Sequence, residues 1–323
     1  MKSLPSLTLT AIALIAVGYV ANSTILRGAQ EGSPKGPAAE KRTSELGKKP
    51  GGGVKREPSS DEPGSESPEA KAALDQARQR LKSYRSIKAR LQESVVLGSR
   101  RFTVKGTYLQ GTDSDLKLRL EFLVKLGDTE GSVLEVCDGQ VLWTRHHIGA
   151  ETRITRRDVN QIQQAAAGAG LTDNRLIVEL GFGGLPGLFA SIEKSMQFDK
   201  YKEETTDGKK VVVLEGGWRP AMLKTWKRDN SQAPLPDYVP VRIRLYLDAE
   251  TLFPRRILYL NRNAEQALRP MVSLDFTEVQ TNEPVPADAF KFVPPEGVFP
   301  VDLTQEFLDQ IKQRQLGGPV RNK

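Results

Sequence analysis

LKLRLEFLVKLGDTEGSVLEVCDGQVLWTRHHIGAETRITRR, residues 116–157, decides the fold. In its first part Leu116, Leu118, Leu120, Phe122 and Val124 alternate with Lys117, Arg119, Glu121 and Leu123. Side chains on a strand point alternately to its two faces, so this spacing puts an apolar row on one face and mostly charge on the other. Val133 to Val136 and Val141 to Trp143 follow, joined through Asp138-Gly139. Asp-Gly predicts a type I′ hairpin, in which both central residues take positive φ. Ala150 to Arg156 reads as a further strand carrying Ile154. The middle of the chain is therefore expected to be an antiparallel meander with one apolar face. Trp143 is expected in its core.

The pattern extends both ways. Upstream, Ser67-Pro68 has the residue types of a helix N-cap and first turn. Ala70, Leu74, Ala77, Leu81 and Tyr84 then form one apolar helical stripe. Ile87, Ala89 and Leu91 change to period two, and Phe102, Val104, Gly106 and Tyr108 make the next strand. Downstream of Arg157 the texture becomes helical and apolar. Asp158 can cap a helix with Val159, Ile162 and Ala165; a second carries Leu176, Ile177 and Leu180; a third carries Leu188, Phe189, Ile192 and Met196. Between the last two lies Gly181-Phe182-Gly183-Gly184-Leu185-Pro186-Gly187. Such a break suits either a lid hinge, since hinge residues absorb φ/ψ change, or a tight static turn.

Strands resume at Phe198–Glu204 and Lys209–Glu215, around a second hairpin signal, Asp207-Gly208. Val241–Leu247, Ile257–Leu260 and Val272–Phe276 complete a count of about ten, and Thr304–Arg314 reads as a closing helix. The fold class is α+β, mainly β. Gly217–Tyr238 interrupts the strands with Trp218, Met222, Leu223 and Trp226 spaced on one helical face among Arg219, Lys224, Lys227 and Arg228. A basic amphipathic helix with tryptophans can lie on a membrane surface; a helical flap packed on the sheet is the plainer reading.

The ends read differently. Ser3–Leu26 carries no charge and stands between Lys2 and Arg27. It fits a cleavable signal peptide with small Ala21 and Ser23 before the cut, and it fits an inner-membrane anchor over residues 4–26, where about 20 predominantly apolar residues suffice. Either way the chain is expected to be exported to the periplasm or cell envelope. Residues 28–67 are rich in Gly, Pro, Ser, Lys and Glu and nearly empty of large apolar side chains, the composition of a disordered linker. The expected organisation is a signal or anchor at 1–27, the linker at 28–67, one domain at 68–300, and a helix and tail at 301–323.

The formal net charge of +7 is scattered along the strands, with no nucleic-acid motif, so no nucleic-acid partner is expected. Cys137 is the single cysteine, which excludes an internal disulfide. His146 and His147 are the only histidines, and strand neighbours point to opposite faces, so they cannot share a metal. No Gly-x-Ser-x-Gly elbow, nucleotide loop or metal pattern occurs. No catalytic residue, metal or cofactor is expected, and binding is favoured over catalysis.

Three stretches together resemble the LolA-like superfamily of envelope proteins, which includes the periplasmic lipoprotein carrier, the outer-membrane lipoprotein receptor and an envelope-stress regulator. Val136-Cys137-Asp138-Gly139-Gln140-Val141-Leu142-Trp143 is similar to its SDGKTLW hairpin. Leu245–Glu250 through Pro254-Arg255-Arg256-Ile257 is similar to its IDxxTxLPxRI segment, and Phe290-Lys291-Phe292-Val293-Pro294-Pro295-Glu296-Gly297-Val298 to its closing FxFxPPxGV. The resemblance implies a strongly curved, unclosed antiparallel half-barrel with helices over the concave face and an apolar cavity between. Leu118, Leu120 and Phe122 on the sheet, with Leu176, Leu180, Leu188 and Ile192 on the helices, would line it. The implied ligand is a lipid or acylated protein; a tethered, protein-binding regulator or scaffold is the alternative. A wide apolar cavity would favour the first and a filled core the second. One departure stands out. The carrier's Val-Lys-Arg-Pro segment supplies a lid-latching arginine, and the matching Leu109-Gln110-Gly111-Thr112 has none.

Overall fold

The computed structural model describes residues 64–315 except 98–99, 113–114, 127–128, 171–182, 228–234, 237 and 287. Its centre is one unclosed sheet. Helix α1 (Pro68–Ser83) leads into β1 (Ser86–Leu97), β2 (Arg100–Thr112), β3 (Leu116–Leu126), β4 (Thr129–Cys137), β5 (Val141–Ile148) and β6 (Glu151–Asp158). Then come α2 (Val159–Gly168), α3 (Gly184–Ser195), β7 (Met196–Thr206), β8 (Lys209–Trp218) and α4 (Pro220–Lys227). β9 (Arg242–Asp248), β10 (Pro254–Arg262), β11 (Leu268–Thr281), β12 (Val301–Asp302) and α5 (Thr304–Gln315) finish the chain. The strand order is β12-β6-β5-β4-β3-β2-β1-β11-β10-β9-β8-β7, with the β1–β11 pairing joining the two meanders.

Local chemistry sets most boundaries. The Ser67 hydroxyl accepts the Ala70 N–H (3.2 Å) and Pro68 opens α1, which satisfies one of the orphan amides of the first turn. Asp158 does the same for α2 by accepting the Gln161 N–H at 2.8 Å. At the β7–β8 hairpin Asp207 and Gly208 both have positive φ, 51° and 72°, as a type I′ turn requires. The Asp138-Gly139 turn departs from that expectation. Only Gly139 is left-handed there, and the Asp138 carboxylate accepts the amides of Gln140 and Val141, both at 2.8 Å. The side chain closes the turn that backbone φ alone was expected to close.

The apolar row of the meander packs as the alternation requires. Leu118, Leu120 and Phe122 on β3 stand beside Gln110, Tyr108 and Gly106 on β2 and beside Cys137, Glu135 and Val133 on β4. These inward positions join residues of α1, α2, α3, β1 and β7–β11 in one apolar cluster. Among the described residues the sheet has twelve strands against the expected count of about ten; one addition is β12, which joins the β6 edge in parallel through Val301–Thr155 and Asp302–Arg156. Every other pairing is antiparallel. Gly64–Ser67, read as linker, is tied to β7: Ser67 N–H donates to the Phe198 carbonyl (2.8 Å) and Gly64 N–H to Asp199 Oδ2 (2.7 Å).

Trp143 corrects an expectation. It pairs with Val136 and Arg156, on the face opposite the inward Leu142 and Thr144, and is half-buried there. The closing segment covers it. Phe292 lies 5.6 Å from the Trp143 ring, Arg156 stacks over that ring at 5.9 Å, and Phe290 lies against Gly111. Trp143→Ala should therefore cost only about 1–2 kcal/mol, less than the 1.5–3 kcal/mol of a fully buried large side chain plus its cavity term. Urea melts would measure it, and a loss well above that range would return Trp143 to the core.

Candidate ligand-binding site

The inward row of β3 and the apolar face of α3 meet in the same cluster. Leu118, Leu120, Phe122, Leu188 and Ile192 are all buried, from fully (Phe122) to 7 % exposed (Leu188). Leu176 and Leu180 lie outside the described residues. These side chains are packed away from solvent within the core.

How α3 is held was not legible from its own sequence. The helix starts at Gly183-Gly184 with no side-chain cap. Its early amide is satisfied instead from the sheet: Leu185 N–H donates to the Tyr108 hydroxyl at 2.9 Å, and that hydroxyl donates to Gln110 Oε1 at 2.5 Å. Burial pushes the Tyr108 hydroxyl up from its ordinary pKa, against the pull of the Leu185 amide, so it stays a neutral donor. Gly184 has φ +55°, and a Cβ there would sit 2.7 Å from Gln110 Oε1 and 2.9 Å from the Tyr108 hydroxyl. Glycine is required twice, for conformation and for space. A neutral Tyr108–Gln110 pair thus holds the helix start.

Two inward carboxyls break the apolar surface. Glu93 continues the Ile87–Ala89–Leu91 alternation of β1 and is fully buried. Among the described residues neither of its oxygens has a hydrogen-bond partner, and burial pushes its pKa up to about 9. Glu135 stands at the other side of the β3 row, beside Thr144 on β5. Burial raises it to about 7 against the opposing pull of Arg157. His146, on the same face, is driven down to about 4 by burial and then by Arg153 and Arg157. α5 closes this polar end, where Phe307 lies 5.2 Å under the Arg157 guanidinium. The period-two reading could have found Glu93, since it stands between Leu91 and Val95 on an otherwise apolar face.

Of the two tryptophans that could have faced a membrane surface, Trp218 does not. Trp218 ends β8, is fully buried, and donates its indole N–H to the Pro240 carbonyl at 2.6 Å. Its place in the core follows from strand pairing with Met196, which overrides the helical spacing seen in sequence. The side chain of Trp226 lies outside the described residues. An open groove of about 500 Å³ on the outer face, lined by Arg90, Lys105, Glu121, Leu123 and Glu278 among others, is separate from the interior. Among the described residues no group of His, Cys, Asp or Glu side chains could hold a metal, and no helix is long and apolar enough to cross a membrane.

No protein-family model and no curated protein matches the chain. Solved structures with a similar chain course exist. The Pseudomonas aeruginosa MucA/MucB complex aligns at 15 % identity and TM-score 0.35, covering 70 % of this chain and 61 % of that one, so the match spans less than two thirds of it. Mycobacterium tuberculosis lipoprotein LppX aligns at 11 % identity and TM-score 0.36, covering 68 % and 99 %. A LolA superfamily protein from Nitrosomonas europaea aligns at 11 % and 0.27, covering 69 % and 97 %. Likeness at this distance concerns the chain course alone and says nothing of ligand or partner.

Proposed function

We propose that this is an exported cell-envelope protein, tethered or released by its N-terminal segment, that takes the apolar chain of a lipid or lipidated ligand between its sheet and α3. The observation that carries the reading is the make-up of that boundary. α3 is a separate apolar helix, uncapped, started at a left-handed glycine, and fixed at its start by one neutral hydrogen-bonded pair from β2. Lifting it would open a surface formed by Leu118, Leu120, Phe122, Leu188 and Ile192, with Leu176 and Leu180 assigned to the same lining by sequence. Burying an acyl chain there stabilises the complex by about 25 cal/mol per Å² of apolar surface.

Near-complete burial of those side chains favours a second reading, a tethered protein-binding regulator whose core stays closed. Leu120→Trp separates the two. Overpacking typically costs about 1–3 kcal/mol, so the variant should fold. It should lose uptake of a neutral fluorescent acyl probe that the wild type binds. A wild type that never binds the probe, or a variant that binds it equally, leaves the regulator reading in place.

A further inference from the structure

Glu93 has no structural use that the fold discloses. It is fully buried on the inward face of β1, directly across from Val104 on β2 and Leu274 on β11, with Leu91 and Val95 two residues to either side. Neither carboxyl oxygen has a hydrogen-bond partner among the described residues. Tyr259, which faces inward on β10, is the titratable neighbour whose own hydroxyl responds to the Glu93 charge. Taking a carboxyl out of water with nothing to replace its hydration is strongly unfavourable, and buried polar groups are otherwise almost always satisfied. The same position filled by leucine or valine would continue the apolar row. A carboxyl that the fold leaves unsatisfied is suited to a group the fold does not contain.

We propose that Glu93 is the polar anchor of the interior site, and that the ligand it takes is an amphiphile with a primary amine at the end of its apolar chain. This rests on the interior-binding reading above. The choice of amine follows from what surrounds Glu93. Val104, Leu274, Leu91 and Val95 bring no positive charge to it, so among the described residues an acidic amphiphile would meet a second carboxyl with no cation to offset either. A hydroxyl or a carbonyl would occupy part of the carboxyl's hydrogen-bonding capacity. A primary amine brings several donors and a counter-charge: the Glu93 proton passes to the neutral amine, or to solvent when the amine arrives already protonated, and the resulting ammonium–carboxylate pair satisfies both oxygens. Hydrogen bonds to charged groups are worth about 1.5–3 kcal/mol, and tenfold in affinity corresponds to about 1.4 kcal/mol.

The test is competition for the neutral acyl probe by dodecylamine, dodecanol and dodecanoic acid, on wild type and on Glu93→Gln. The variant keeps the side chain's shape and loses its ability to ionise. In wild type dodecylamine should displace the probe at least about tenfold more tightly than dodecanol, and dodecanoic acid should be weakest. In Glu93→Gln the amine advantage should fall to within about twofold, with dodecanol little changed. A second readout is the stability of wild type at alkaline pH, which dodecylamine should restore and dodecanol should not. If dodecanol displaces the probe but the amine has no advantage, or keeps it in Glu93→Gln, the assignment of Glu93 is wrong and the interior site stands. If neither probe nor amphiphile binds, the interior site itself is wrong and the anchor falls with it.

Discussion

Wild-type protein should lose about 1.4 kcal/mol more stability per pH unit than Glu93→Gln as pH rises from about 4.5 towards 9, the raised Glu135 carboxyl acting equally on both. Burial moves the Glu93 carboxyl from 4.5 to about 9 in the folded protein. Between those values the folded chain carries a proton that the unfolded chain has lost. The unfolded state then binds fewer protons, so stability falls with rising pH. The neutral carboxyl's stabilisation is fully present below about 4.5 and is lost by about 9. Summed over that window the difference is on the order of 6 kcal/mol. That is a large share of a typical domain's 5–15 kcal/mol. Tyr259 is the titratable group that shares its surroundings, and burial holds it protonated well above this window, with the Glu93 charge adding to the shift. Urea melts of both proteins from pH 5 to pH 9 would read the two slopes. Parallel curves would mean that Glu93 reaches water or a partner in solution.

The parts of this architecture that were legible in sequence are those fixed by short-range chemistry. The Leu118–Leu120–Phe122 row, the Ser67 and Asp158 caps and the Asp207-Gly208 turn each follow from residues within a few positions of one another, and each is found in place. What was not legible depends on which strands lie side by side. Trp218 had helical spacing to Met222 and Trp226, yet strand pairing with Met196 carries it into the core. Trp143 had the right period for a strand, but its face is decided by where the Phe290–Phe292 segment returns, some 150 residues later by sequence position. β12 is too short to carry a pattern of its own and is recognisable only through its partner β6. Within the candidate site the lining leucines were readable as an apolar period. The Tyr108–Gln110 pair that holds α3 was not, because Leu185 is 77 residues from Tyr108.

The same limit hid the ion network at the other edge of the sheet, where the second large effect is expected. Arg242 and Arg244 look in sequence like the solvated face of a strand. Pairing of β7, β8 and β9 instead brings Lys200, Glu215 and Arg244 into one cross-strand row, with Arg242 beside it. Arg242 makes a bidentate contact with Asp199, one arm at 3.0 Å, and reaches Glu215 Oε1 at 3.4 Å. Lys200 Nζ also holds Glu215 Oε1, at 2.7 Å, and Arg244 Nε holds Oε2 at 2.9 Å. Burial pushes the Glu215 carboxyl up, but Lys200 and Arg244 outweigh it and hold it below its ordinary value. The side chains of Arg242, Asp199 and Glu215 are only 8 %, 9 % and 7 % exposed. Removing one partner of so buried a set leaves the other's charge uncompensated, which typically costs about 3–5 kcal/mol. Arg242→Ala should destabilise by that amount. Glu215 keeps its other two cations; Asp199 keeps only the Gly64 N–H among these contacts. Asp199 should thus account for most of the loss, and adding Asp199→Ala to Arg242→Ala should recover part of it. The network also ties Gly64 to β7, so Arg242→Ala should make the chain easier to cleave near residue 64 before it unfolds globally. A loss below about 1 kcal/mol, as for an exposed pair, or strict additivity of the two substitutions would show that these charges are solvated and act independently.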